Sequence, residues 1–288
     1  MRVATLIIFF LSLGTICKAQ ELKFNVKGTG NDTVFLAKYL GPKLYYADTA
    51  VASNNVSVFD GSKHEGGLMA FVTKGRYFEY ILDGEDVEMQ VDDVENMIGT
   101  MKVHKSVNNK VFYDYIHFMT DIKKRYAEES KKFQAMKEGT DEYKKQKLVL
   151  EAIDKEREDY QAKILSDNKG KYIATMVRMS MDVELPEPPK DENGVITDSN
   201  FVYRYYVEHY WDNTDLKDTR IVRTPLFHSK LNKYFSKQGM LQIPDTITKY
   251  AKLMLDKIDQ SDGNVLFQYT VNHITNKYEE SNIMGMDR

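Results

Sequence analysis

The sequence predicts an α+β chain, with an N-terminal antiparallel β-sandwich or partly open barrel followed by an all-helical region that opens on a long αα-hairpin. Three observations carry this expectation. Apolar residues recur with a period of two from Glu21 to about His104, the spacing changes to 4,3 near Lys105, and a proline cluster at Pro186, Pro188 and Pro189 interrupts the helical stretch. Ahead of both regions stands a segment of another kind. Arg2, the apolar run Val3 to Leu13 and the sequence Cys17-Lys18-Ala19 read as a secretory signal peptide cleaved after Ala19. Cys17 is the chain's single cysteine, so the mature protein is expected to lack thiol chemistry, disulfides and cysteine-ligated metal. A lipoprotein anchored through Cys17 is the rival reading, disfavoured by the bulk of Ile16 before it. The expected organisation is a signal peptide at 1–19, a β domain at 20–104 and a helical domain at 105–288.

Within the β region, Leu22, Phe24 and Val26 alternate with Lys23, Asn25 and Lys27, and the cluster Gly28 to Asp32 turns the chain into Val34 to Ala37. Val56 to Val58 ends at Asp60-Gly61, Leu68 to Val72 at Lys74-Gly75, and Tyr77 to Leu82 at Asp83-Gly84; Val87, Met89 and Val91 alternate again. In the helical region, Tyr115, Met119, Ile122, Tyr126, Phe133 and Met136 form one apolar seam. Gly139 stops that helix and Thr140 caps the next, which presents Tyr143, Leu150, Ile153, Tyr160 and Ile164 with Gln146 and Arg157 interrupting the seam. The hairpin is placed at 110–167. A Met-rich helix from Tyr172 to Met181 precedes a proline-rich loop at 184–199. The C-terminal helices at 200–288 are read as Phe201 to Trp211, Pro225 to Lys237, Asp245 to Ile258 and Val265 to Glu279.

Composition excludes several functions. Forty Lys plus Arg against 43 Asp plus Glu leave a net charge of −3, which argues against nucleic acid as a partner. The hairpin is charge-balanced and reads as a solvated face. Beyond the leader no apolar run is long enough for a transmembrane span. The six histidines stand in no metal-ligand spacing, and no cofactor is expected. The Gly28-Thr29-Gly30 turn lies between strands and offers no helix N-terminus to a phosphate. The candidate pocket is the cluster His209, Asp212, Asp215, Arg220 and Arg223, with Asp218 and His228 nearby. As a site, Asp212 would orient His209 and the arginines would bind an anion. As structure, His209 and Tyr210 would face inward, the aspartates would cap, and the arginines would pair with them.

Two stretches together resemble a known arrangement. The β region followed by Ser106-Val-Asn-Asn109-Lys-Val-Phe112-Tyr-Asp-Tyr115 is similar to the N-terminal domain of exported thiol:disulfide oxidoreductases of Bacteroidetes, in which a glycine-serine-x-glutamate-asparagine turn leads into the first helix. Here Lys105 stands at the glycine position and Asn108 at the glutamate position. Asn200 to Arg204, His209 to Asn213, Asp218-Thr-Arg220, Arg223-Thr-Pro225, Asn276-Lys-Tyr278 and Ile283 to Asp287 resemble the helical domain that follows in those proteins. The family places a thioredoxin-like Cys-x-x-Cys domain after it. The resemblance implies a periplasmic or secreted, non-catalytic accessory or binding region of such an oxidoreductase, working with a protein partner or a C-terminal thioredoxin-like domain. A stand-alone periplasmic binding or scaffold protein is the second reading, and an enzyme using the His209 to Arg223 cluster the third.

Overall fold

The computed structural model describes residues 20–281, 283 and 285. The signal peptide and Cys17 fall outside these residues. Eight strands form two four-stranded sheets. They are β1 (Glu21–Val26), β2 (Thr33–Leu40), β3 (Lys43–Val51), β4 (Val56–Asp60), β5 (Gly67–Thr73), β6 (Arg76–Leu82), β7 (Val87–Val91) and β8 (Met101–Lys105). One sheet runs β4-β1-β7-β8 and the other β3-β2-β5-β6. The arrangement is a sandwich with no closed barrel. Its pairing is antiparallel as expected except in one place, where β1 and β7 lie parallel with Leu22 opposite Val87 and Phe24 opposite Met89. The chain leaves the first sheet after β1; β4 returns beside it in the opposite direction, and β7, on its other side, in the same direction.

Alternation places Leu22, Phe24, Val26, Val87, Met89 and Val91 on the inner face of the first sheet, all essentially without solvent exposure. Phe24 sits at the centre of the sandwich, with its ring 4.9 Å from Phe71, 5.1 Å from Tyr80 and 5.8 Å from Phe78. Period two did not reveal β3 and β8. Both are sheet edges, and their burial barely alternates: Tyr45, Tyr46 and Val51 on β3 are all exposed.

Seven α-helices follow among the described residues: α1 (Val107–Gln134), α2 (Asp141–Asp167), α3 (Tyr172–Ser180), α4 (Phe201–His209), α5 (Pro225–Tyr234), α6 (Pro244–Leu255) and α7 (Val265–Glu279). A 3₁₀ turn, Thr219–Arg223, precedes α5. Thr140 caps α2 as expected, accepting from the Tyr143 amide, but α1 ends at Gln134, two residues short of Met136. Helix α4 stops at His209, and Tyr210 and Trp211 are buried in the turn beyond it. One core fills the sandwich and continues through Phe112, Tyr113, Ile164, Tyr172, Ile173 and Val177, so the foot of the hairpin and α3 pack on the sheets. A second core is wholly helical and includes Met179, Trp211, Phe227, Tyr234 and Leu266. Helix α3 contributes to both.

Candidate functional site

The start of α1 is fixed from outside the helix. Ser106, at φ 89, accepts from the Asn109 amide and donates to Glu85, which also accepts the Asn108 amide at 3.1 Å. The carboxylate at this helix N-terminus therefore comes from the β6–β7 turn, where position 108 holds an asparagine. Asn109, fully buried, spans both backbone groups of Ile81: it accepts from the amide at 2.7 Å and donates to the carbonyl at 2.8 Å. That geometry satisfies an edge strand through a side chain.

From this point a polar clasp crosses to the helical core. Asn108 donates to Asp83 at 3.3 Å and accepts from the Ile173 amide at 3.0 Å; Asp83 accepts the Tyr172 amide at 3.2 Å and pairs with Arg220. Arg220 also holds Asp218 through Nε and Nη2 at 2.9 and 2.7 Å, lies 4.5 Å over the Tyr172 ring, and gives its carbonyl to the Tyr172 hydroxyl. The hydrogen bond to Asp218 is the chief reason its guanidinium is held even more firmly protonated than usual. Arg223 donates to the Gly66 carbonyl at 3.0 Å and pairs with Glu65 at 2.7 Å.

The five candidate residues thus separate. His209 Nδ1 lies 2.6 Å from Asp212, but both side chains are about half exposed; Tyr205 stacks on the imidazole at 4.0 Å and Lys257 approaches Asp212 at 3.8 Å. His209 does not face inward, whereas Tyr210 does. Asp215 accepts the Lys217 amide in a local turn. Among the described residues neither arginine pairs with Asp212 or Asp215; their carboxylates are Asp83, Asp218 and Glu65, two of them from the sandwich. Sequence reasoning took Asp83-Gly84 only as turn signals, and no local pattern connects Asp83 with Arg220.

Two further features lie outside that cluster. A groove of about 500 Å³ runs between α1, α2, α3 and α5. Its apolar lining includes Ile116, Met119, Ile173, Met176, Val177 and Leu226. At its wall a hydrogen-bond relay runs from Gln161 Nε2 to the Tyr115 hydroxyl (2.8 Å), on to Ser180 Oγ (3.1 Å) and then to the Val177 carbonyl (2.7 Å). The direction is set by the carbonyl, which only accepts, and it leaves the buried Gln161 Oε1 without a partner. The second feature is a smaller hollow of about 280 Å³ where the β2–β3 turn meets α7. There Tyr269 lies 2.6 Å from His228 Nδ1, Asn232 lies 2.7 Å from Nε2, and the His273 ring stands 5.1 Å from that of His228 with Nε2 buried and unpartnered. Burial and the neighbouring His228 lower the His273 pKa to about 4.

Among the described residues no three His, Cys, Asp or Glu side chains converge as metal ligands would, and no helix is long and apolar enough to cross a membrane. No curated protein and no solved structure matches the chain. Residues 151–288, from within α2 onward, match the model of DUF5106, a domain of unknown function.

Proposed function

We propose that the chain is exported and serves as a non-catalytic accessory or binding region of a thioredoxin-like thiol:disulfide oxidoreductase of the kind found in Bacteroidetes, with the redox chemistry carried outside these 288 residues. One observation carries this reading above the enzymatic one. The arginines of the candidate pocket are committed to the clasp between sandwich and helices, so neither of them flanks the half-exposed His209–Asp212 pair. The clasp ties the sandwich to the 3₁₀ turn ahead of α5, which supports a positioning role. The resemblance of both stretches to the front of such oxidoreductases supports the same reading, and the leader Arg2 to Ala19 supports export to the periplasm.

The test is insulin disulfide reduction by the purified chain, alone and beside a thioredoxin. The expected outcome is no turnover by the chain itself, with the intact mass of the secreted form corresponding to cleavage after Ala19. Turnover by the pure chain, or a mass retaining diacylated Cys17, contradicts the reading. A stand-alone binding protein is the second reading, favoured by the open apolar groove beside the hairpin.

A further inference from the structure

We propose that the groove between α1, α2, α3 and α5 binds a small amphipathic carboxylate, with its apolar tail toward the foot of the hairpin and its anionic head toward Lys123 and Arg157. The site is independent of whether the chain works beside a redox domain. Its size lies in the range of small-molecule pockets, about 300–1,000 Å³. The lining is unequal along its length. Because α1 and α2 are antiparallel and Gln161 bonds Tyr115, Arg157 and Lys123 lie on turns nearer the hairpin tip than that pair. Toward the foot stand Phe112 and Ile173, with Met176 and Val177 on the α3 side. The groove therefore runs from an apolar end to a cationic one. Two methionines, Met119 and Met176, supply flexible apolar surface suited to an unbranched tail.

The charges are available. Among the described residues Lys123 makes no ion pair, and the carboxylates nearest Arg157, on Asp154 and Glu158, are 3.5 Å away and largely solvated. A solvated pair at that distance yields readily to a carboxylate held in the groove. The one acid on the lining, Asp182, projects into solvent on the α5 side, with Lys233 at 3.9 Å. A cationic amphiphile would meet Lys123 and Arg157 instead, so the sign of the head group discriminates.

Isothermal titration of the purified full chain with decanoate tests this, with acetate as the head alone and decyltrimethylammonium as the same tail with the opposite charge. The expected result is saturable 1:1 binding of decanoate only, weakened about tenfold by Lys123→Ala with Arg157→Ala and abolished by Met176→Trp. The two charge substitutions lie on an exposed position, Lys123, and a partly exposed one, Arg157, and leave the fold intact, which far-ultraviolet circular dichroism checks. No decanoate binding, equal binding of the cation, or unchanged affinity in the charge variant overturns the proposal. So does a dimer in gel filtration that Leu226→Asp dissociates, since the groove would then be filled by a second copy. Insulin turnover is a separate readout, so failure here leaves the accessory reading untouched.

Discussion

At the scale of single residues, the clasp shows how position decides what an ion pair contributes. Arg220 is about one-third exposed, and its carboxylate partners Asp83 and Asp218 are more buried than it is. Removing it strands two partly buried charges and uncovers Tyr172. Arg220→Ala is therefore expected to cost about 2 kcal/mol in urea unfolding, less than the figure for a fully buried pair because water still screens this one. Arg220→Lys rescues little of that, since an ammonium cannot hold Asp218 through two nitrogens while reaching Asp83. Arg223 faces an exposed Glu65 and one carbonyl, so Arg223→Ala should cost about 1 kcal/mol. His209→Ala, losing a solvated pair, should cost no more than about 0.5 kcal/mol. Higher urea midpoints for both Arg223→Ala and His209→Ala would return the cluster to candidacy as a site. The sequence brought these residues to notice through proximity along the chain, which holds for Asp218 with Arg220 and Asp212 with His209 but does not reach the partner 137 positions from Arg220, Asp83.

At the scale of elements, legibility followed burial. Strands with one face on the core, such as β1 and β7, alternate and were readable; the edges β3 and β8 do not alternate and were missed. Helix starts were readable where a cap is local, as at Thr140, Pro225 and Asn264. The start of α1 was readable in place but not in cause, because Glu85 and Ile81 come from the sandwich. Asn109 is the joint there. Asn109→Leu keeps the volume but leaves the Ile81 amide and carbonyl buried and unpaired, with an expected loss of about 2–4 kcal/mol. Asn109→Asp restores an acceptor for the amide yet faces the carbonyl with a carboxylate, so it should not recover wild-type stability at neutral pH. Hydrogen exchange at the Ile81 amide reads the effect directly: Asn109→Leu, which removes the acceptor, should speed it far more than exchange in β1. Unchanged protection at Ile81 would mean that α1 is held to the sandwich by its apolar contacts alone.

At the scale of the whole molecule, the sandwich and the C-terminal helices also meet beside the clasp, at Val222 of the same 3₁₀ turn. The β2–β3 turn lies against α7 and the 3₁₀ turn. Gly41, at φ 58, donates to the Val222 carbonyl at 2.8 Å, and a Cβ there would stand 1.9 Å from the Tyr269 hydroxyl. Behind that contact sit His228 and His273. The groups that face them are Tyr269 and Lys277 from α7, Asn232 from α5, and Lys43 and Tyr45 from the start of β3. No carboxylate is among these, so a proton on either ring gains no partner and meets Lys277. Burial lowers both pKa values, that of His273 to about 4, whereas an unfolded histidine titrates near 6.5. Between those values the unfolded chain binds more protons than the folded one, so stability is complete above about pH 6.5 and falls as the pH drops toward 4. The His273 shift alone would correspond to about 3 kcal/mol; because the ring is only partly shielded from water, about 1–2 kcal/mol is the expected loss. Carboxylates held ionised by lysines, among them Glu88 and Asp92, also lose stability in acid, so the wild type alone does not isolate the histidines. Urea midpoints at pH 7.5 and 4.5 for wild type and His273→Gln do. The variant should be less sensitive to acid by about 1–2 kcal/mol, and equal sensitivity in the two proteins would show that this buried pair does not govern the response.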